Sequence, residues 1–127
     1  MTASPLDTLT AGRYIRLTTF KRDGTAVPTP VWVTRDGDRL TVITQSKSGK
    51  LKRLAHTSRV LVAPSDWRGK PTGEDVEGTA EILGDDAVQP ADDRCRERFG
   101  LEYKVMSVVS KLRGSDKEPR TVIAITF

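Results

Sequence analysis

The residue types that could do chemistry in this chain gather between Ala26 and Arg53, AVPTPVWVTRDGDRLTVITQSKSGKLKR. Gln45-Ser46-Lys47-Ser48-Gly49-Lys50 brings two hydroxyls, two lysines and free backbone N–H groups to the predicted start of a short helix. Those are the physical needs of a phosphate site. Lysines at a helix start oppose the macrodipole, and no Asp or Glu stands in that turn to relieve them. A bound anion would. The segment is not a Walker A loop: it lacks the first glycine at the required distance, and Leu51 stands where Ser or Thr should follow the lysine. The competing reading is an ordinary solvated helix face that carries lysines.

Upstream, Pro28 and Pro30 sit inside a predicted strand, where each removes a ladder donor and stiffens the backbone. The amides and carbonyls of Thr29 and Val31 would then be free to meet the polar edge of a planar heterocycle. Trp32 could stack on that heterocycle or wall its pocket, although a tryptophan more commonly joins a core.

Other chemistries lack their residues. His56 is the only histidine, and nothing beside it marks a nucleophile, so a Ser-His-Asp triad is unsupported. Its place at the predicted end of the short helix suits a cap-region residue. Cys95 is the only cysteine; Arg94, Arg96 and Arg98 around it could lower its pKa. With no resolving cysteine, a structural thiol is the expectation. No Cys/His cluster has zinc spacing, and the acids after Glu74 show no EF-hand order.

Composition sets the frame. The 127 residues are read as one domain, 1–127, with 36% apolar and 30% charged residues, as in an ordinary globular protein. No apolar run reaches the length of a membrane helix, and MTASPLDTLTAG shows no secretory signal, so a cytoplasmic protein is expected. The net charge of +4 is distributed in blocks. Lys47–Lys70 carries seven Lys/Arg against Asp66 alone, a balance of +6, whereas Glu74–Glu102 carries ten acids against three arginines, −7. This asymmetry points to a localised anion-binding surface.

The elements that must position these residues follow from pattern. Residues 2–11 read as a short helix capped by Ser4 or Thr2. Arg13–Phe20 is a strand, KRDGT a hairpin turn, and Ala26–Thr34 a second strand. RDGD turns the chain into Arg39–Gln45, completing an expected three-strand meander. Ser48–His56 is a helix with Leu51, Leu54 and Ala55 on its apolar face. Arg59–Ser65 is a central strand, Asp66–Gly73 a loop and Val76–Leu83 an alternating strand. Pro90–Phe99 and Leu101–Arg113 are helical, with Gly100 between them. Arg120–Phe127 is a last strand, buried mid-sheet. The sum is mainly β: about six strands in a β-barrel with packed helices.

The order VPTPVW, DGDRLTVIT, SKSGKLKRL, RVLVAP, RGKPTG, VEGTAEIL resembles the pyridoxamine 5′-phosphate oxidase-like (PPOX) family of flavin-binding split barrels. More narrowly, it is similar to the actinobacterial branch that uses the deazaflavin coenzyme F420. The resemblance runs from about Tyr14 to Leu83 and resumes at the last strand. It implies a homodimeric split β-barrel with two cofactors in grooves at the dimer interface. Pro28, Thr29, Pro30, Val31 and Trp32 would lie along the cofactor ring. Thr44, Ser46, Lys47, Ser48, Gly49 and Lys50 match the segment that holds the ribityl phosphate, with Arg53 beyond it. Arg68 matches a loop that reaches the partner subunit's cofactor. Where flavin mononucleotide (FMN) enzymes of the family tend to have Arg-Lys before the glycine, this chain has Lys47-Ser48. One cation fewer favours the phosphodiester of F420 over a terminal phosphate, and the basic run to Lys70 suits its anionic lactyl-glutamate tail.

The function implied is an oxidoreductase in which reduced F420 passes a hydride from C5 to a small organic acceptor stacked over its ring. No side chain is required as acid, base or nucleophile, so no catalytic residue and no metal ligand is assigned. Two alternatives stand beside it. One is an FMN-dependent oxidase or reductase of the same fold. The other is a non-catalytic basic β-barrel binding single-stranded nucleic acid, which needs aromatic platforms on a basic face. With seven aromatics, and Trp67–Arg68 the one such pair in the basic block, no nucleic-acid partner is expected.

Overall fold

The computed structural model describes residues 5–45, 49–105, 112 and 120–127. Helix α1 (Pro5–Leu9) leads into strand β1 (Tyr14–Phe20), whose alternation turns Ile15, Leu17 and Thr19 inward, all without solvent exposure. The Asp-Gly turn is held locally: Lys21 N–H donates to Thr25 O, and Thr25 N–H donates to the Asp23 carboxylate at 2.9 Å. Strand β2 (Ala26–Trp32) returns antiparallel, in a register from Phe20↔Ala26 to Tyr14↔Trp32.

The next step departs from the expected meander. The Ala26–Thr34 strand is broken at Val33, and Thr34–Asp36 forms a separate β3 that pairs with β4 (Arg39–Gln45) across the RDGD turn. The sheet has seven strands in the order β2-β1-β5-β6-β7-β4-β3, where β5 is Arg59–Ser65, β6 Val76–Ile82 and β7 Arg120–Thr126. Strands β2 and β3 therefore occupy opposite ends of the hydrogen-bonded order, yet one residue separates them in the chain. The sheet must curl until its two ends meet. Val33, fully buried, is the bend at which the strand leaves β1 and joins β4. Strands β2 and β4 consequently come into contact without pairing.

All neighbouring strands are antiparallel, and the inner face is aliphatic: Ile15, Leu17, Leu40, Val42, Val60, Val62, Ile123 and Ile125 form one core. Leu9 of α1 and Leu54 of α2 (Gly49–Leu54) enter the same core, with Leu51 packed against it. Ala55, expected on that face, is exposed. Strand β7 lies mid-sheet between β6 and β4 as its two-sided apolar pattern predicts. Gly78 allows β6 to approach β7 closely, since a Cβ there would stand 2.9 Å from Thr126 O. After a 3-10 turn (Asp85–Ala87), α3 (Val88–Phe99) starts two residues before Pro90 and ends at Gly100; residues 101–105 are again helical. The rest of the expected Leu101–Arg113 helix, apart from Leu112, lies outside the described residues, as do the Ser4 and Thr2 caps. Among the described residues, no helix is long and apolar enough to cross a membrane.

Candidate functional site

Strand β2 pairs on one side only, and this explains its prolines. Val33 N–H donates to Arg13 O, and Lys21 N–H donates to Thr25 O, at the two ends of the β1–β2 ladder. Alternation between those bonds puts Val27, Thr29 and Val31 in the hydrogen-bonded pairs, and Pro28 and Pro30 in the pairs between them. The missing proline donors thus face the open edge, where a strand tolerates proline without a ligand. The expectation that the Thr29 and Val31 amides are free is corrected: they point into the ladder with Leu17 and Ile15. It is the Pro28 and Pro30 carbonyls that face outward. Thr29 retains one unspent group, its buried Oγ1, which has no hydrogen-bond partner.

Trp32 is half-buried and belongs to an aromatic cluster. Its ring lies 4.6 Å from Phe99 at the end of α3, 6.1 Å edge-on from Tyr14 and 6.3 Å from Tyr103. It walls the end of β2 rather than standing free beside it. Loop 66–73 covers the same strand. Gly69 has φ +86°, and a Cβ there would meet Pro30 Cδ at 3.3 Å. Asp66 shapes that loop by accepting the N–H groups of Arg68 and Lys70, each at 2.9 Å. Arg68 is thereby brought near the outer face of β2, with its guanidinium 4.8 Å above the exposed Trp67 ring.

The phosphate half is described in part. Thr44 is buried near the end of β4, and Gly49 and Lys50 open α2. Ser46, Lys47 and Ser48 lie outside the described residues. Arg53 folds back over the helix start, and a Cβ on Gly49 would stand 2.8 Å from its Nη1. Its Nε donates to Thr19 Oγ1 on β1. Thr19 is the partner of Val27, so Arg53 is tied one residue from Pro28. Lys50 is half-buried, and its ammonium pKa is lowered, first by burial and then by Arg53 nearby. Among the described residues neither cation has a carboxylate partner, and α2 itself holds no acid. Desolvated, crowded positive charge of this kind is relieved by an anion.

One cluster escaped sequence reasoning. Asp92 is buried on α3, and its carboxylate accepts from Tyr103 Oη, from Arg120 Nη1 at 3.0 Å and from Arg96 Nε at 3.0 Å. Burial pushes its pKa up, but the Tyr103 and Arg120 hydrogen bonds outweigh it and the net shift is down. The Tyr103 phenol is pushed up to about 12, by burial first and by the Asp92 bond second. Arg120 is the cross-strand partner of Gln45, so this network adjoins the strand end that leads to Ser46. A signal existed: Asp92 shares a helical stripe with Val88, Ala91, Cys95 and Phe99, and an acid on an apolar stripe needs partners.

Two titratable candidates remain, Cys95 and His56. Cys95 is buried and its thiol is pushed up to about 11, chiefly by desolvation and then by Asp92; the arginines counter this only weakly. His56 follows α2 and is exposed. Among the described residues, no group of three His, Cys, Asp or Glu could hold a metal ion. Cavities among the described residues include two of about 340 and 480 Å³. The first is lined by Arg53 and its neighbours. The second lies between Thr34, Arg35 and α3, and neither opens on Pro28–Trp32.

With this geometry in hand, comparisons place the chain. The profile of the family described as pyridoxamine 5′-phosphate oxidase matches residues 6–127. A conserved hypothetical protein from Mycobacterium tuberculosis has a similar structure (TM-score 0.69, 24% identity, covering 98% of this chain and 80% of that one). A protein named F420 reductase is similar over 99% of this chain and 94% of its own (TM-score 0.61, 19% identity). A pyridoxamine 5′-phosphate oxidase-related, FMN-binding protein from Nostoc punctiforme matches over 90% and 70% (TM-score 0.53, 18% identity). At these identities the structures show a shared fold. Among curated proteins, none matches this sequence.

Proposed function

Because the chain belongs to the pyridoxamine 5′-phosphate oxidase family of flavin-binding split barrels, whose members are oxidoreductases, we propose that it is a reductase using coenzyme F420. The observation that carries this reading is the partly desolvated cation pair Lys50–Arg53, without a carboxylate partner among the described residues and tied through Thr19 to the strand that carries Pro28 and Pro30. The residues fit such a cofactor. The orphaned Thr29 Oγ1 and the outward Pro28 and Pro30 carbonyls offer polar groups along β2. Lys50 and Arg53, with Thr44, Ser46, Lys47, Ser48 and Gly49, offer cations, hydroxyls and amides for its phosphodiester. When bound, the reduced deazaflavin supplies a hydride to a small organic acceptor over its ring. The chain's part is to hold the ring against the stiff Pro28–Trp32 strand, to exclude water and to orient the acceptor. Two copies would pair with a cofactor at each side of the interface, Arg68 of one reaching the cofactor of the other.

The preference for F420 over FMN rests on Lys47-Ser48 standing where FMN enzymes tend to carry Arg-Lys. The F420 reductase and the FMN-binding protein of the same fold make both chemistries reasonable comparators. A nucleic-acid role has less support: in the basic block one aromatic side chain, Trp67, is exposed. Fluorescence titration decides between the cofactors. Purified protein is expected to bind F420 saturably and to leave FMN unbound in a parallel titration. Protein that purifies yellow with FMN and leaves F420 fluorescence unchanged overturns the reading.

A further inference from the structure

We propose that the cavity between the β1–β2 hairpin and the end of α2 is a second anion site. Its ligand is a small molecule, or an arm of one, carrying two or more carboxylates or linked phosphates. The cavity measures about 340 Å³ and is lined by Lys21, Arg22, Lys52, Arg53 and His56, with Phe20 as its apolar wall; no carboxylate lines it. Lys52 and Arg53 belong to the basic run that suits the cofactor's tail, so the inference rests on the cofactor reading where the anion is that arm and goes beyond it where the anion is free.

The lining carries the argument, since it gathers four basic side chains and no acid around one concavity. Seven other arginines (13, 16, 35, 39, 59, 96 and 120) are ion-paired with Asp or Glu at 2.7–3.1 Å. Even Arg59, stacked 4.7 Å over the ring of the cavity's own Phe20, is neutralised by Glu77. Among the described residues, Lys21, Arg22, Lys52 and Arg53 have no such partner. The nearest acid in sequence, Asp23, is committed to Thr25 N–H within its own turn. Four positive charges therefore line one concavity without an ion pair among the described residues, and only Lys21 feels a nearby acid, Asp23. Their mutual repulsion favours a ligand that meets several of them at once, and a singly charged one gains little in water. Arg53 is held in place by Thr19, so part of the site is preorganised.

Calorimetry of the full chain with citrate and with pyrophosphate, at fixed low ionic strength, tests this. Both are expected to bind saturably, one per chain, while acetate does not saturate. Arg22→Glu and Lys52→Glu, both at exposed positions, should each weaken citrate binding at least tenfold, with circular dichroism unchanged. Lys104→Glu makes the same change of charge outside the cavity and should keep the wild-type affinity. Absent saturation, acetate binding equally well, or an equal loss in Lys104→Glu overturns the site. The source of the anion is read from cofactors in the Arg22→Glu/Lys52→Glu variant. Lost F420 affinity with unchanged affinity for the same deazaflavin lacking its glutamates assigns the cavity to the cofactor's acidic arm; unchanged F420 affinity assigns it to a free polyanion. Citrate binding in a protein that ignores F420 would sink the proposed cofactor alone.

Discussion

Two clusters of charge in this molecule are built from similar residues and come out opposite. In the Asp92 cluster, one buried carboxylate is shared by Arg96, Arg120 and Tyr103, so the acid is fully paired and each donor has an acceptor. In the Lys50–Arg53 cluster, cations are gathered on a six-residue helix and left without a carboxylate among the described residues. The first arrangement holds α3 and the 101–105 helix to β7. The second contributes little to folding, since a half-buried cation without a partner costs free energy. Pairing, rather than residue type, separates a structural charge from a binding one.

Three substitutions should sharpen that contrast. Asp92→Ala is expected to have the largest effect on stability. It removes the acceptor shared by three donors, a loss of about 2–3 kcal/mol on the scale of hydrogen bonds to a buried charge. The two arginines are partly exposed and can be rehydrated, which keeps the cost below that of an orphaned buried ion. Urea unfolding measures it, and a midpoint unchanged from wild type would refute the role given to Asp92.

Lys50→Ala should do the reverse. F420 affinity is expected to fall at least tenfold, from loss of one charged contact of about 1.5–3 kcal/mol, while stability at neutral pH holds or rises. The sign follows from the lowered ammonium pKa. The folded state disfavours the charged form, and that penalty operates at neutral pH and fades only as pH approaches the ordinary lysine value of 10.5. Loss of stability with unchanged F420 binding would invert the comparison.

Tyr103→Phe is the smallest change. A phenol whose pKa is raised from 10.0 to about 12 contributes stability that is complete below pH 10 and lost as pH climbs toward 12. The variant should unfold about 1 kcal/mol more easily at neutral pH, and its deficit should shrink between pH 10 and 12. A deficit constant across that range would show that the Asp92–Tyr103 bond does not carry the effect.

The strand runs were legible because they are local. Arg39–Gln45, read from alternation, and Arg59–Ser65, read from an apolar run, appear with their expected boundaries, and the Asp-Gly turns sit where expected. Val33 was not legible. Nothing in AVPTPVWVT distinguishes a long strand from two strands separated by a bend, because the bend is imposed by closure of the sheet. The prolines were visible, but not which groups they leave open: the register turns the Thr29 and Val31 amides into the ladder and the Pro28 and Pro30 carbonyls outward, and an edge position tolerates the missing donors without a ligand. Asp92 was visible as well, but its partners were not. Tyr103 lies 11 residues away beyond the helix break at Gly100, and Arg120 lies 28 away on a strand, so no single periodicity links them to Asp92.

What the sequence determined by itself is whatever depends on neighbours in the chain: the strands, the turns, the apolar stripes, the basic block and the motif order that resembles the family. These follow from steric and hydrophobic preferences that act over a few residues. Tertiary structure decided which strands became edges, and so which backbone groups face outward. It also decided which cations found carboxylates. Arg53 and Thr19 are 34 residues apart, and only curling of the sheet brings α2 against β1 to join them. The candidate site depends on that closure, because charge acquires its meaning from what lies within a few ångströms in space.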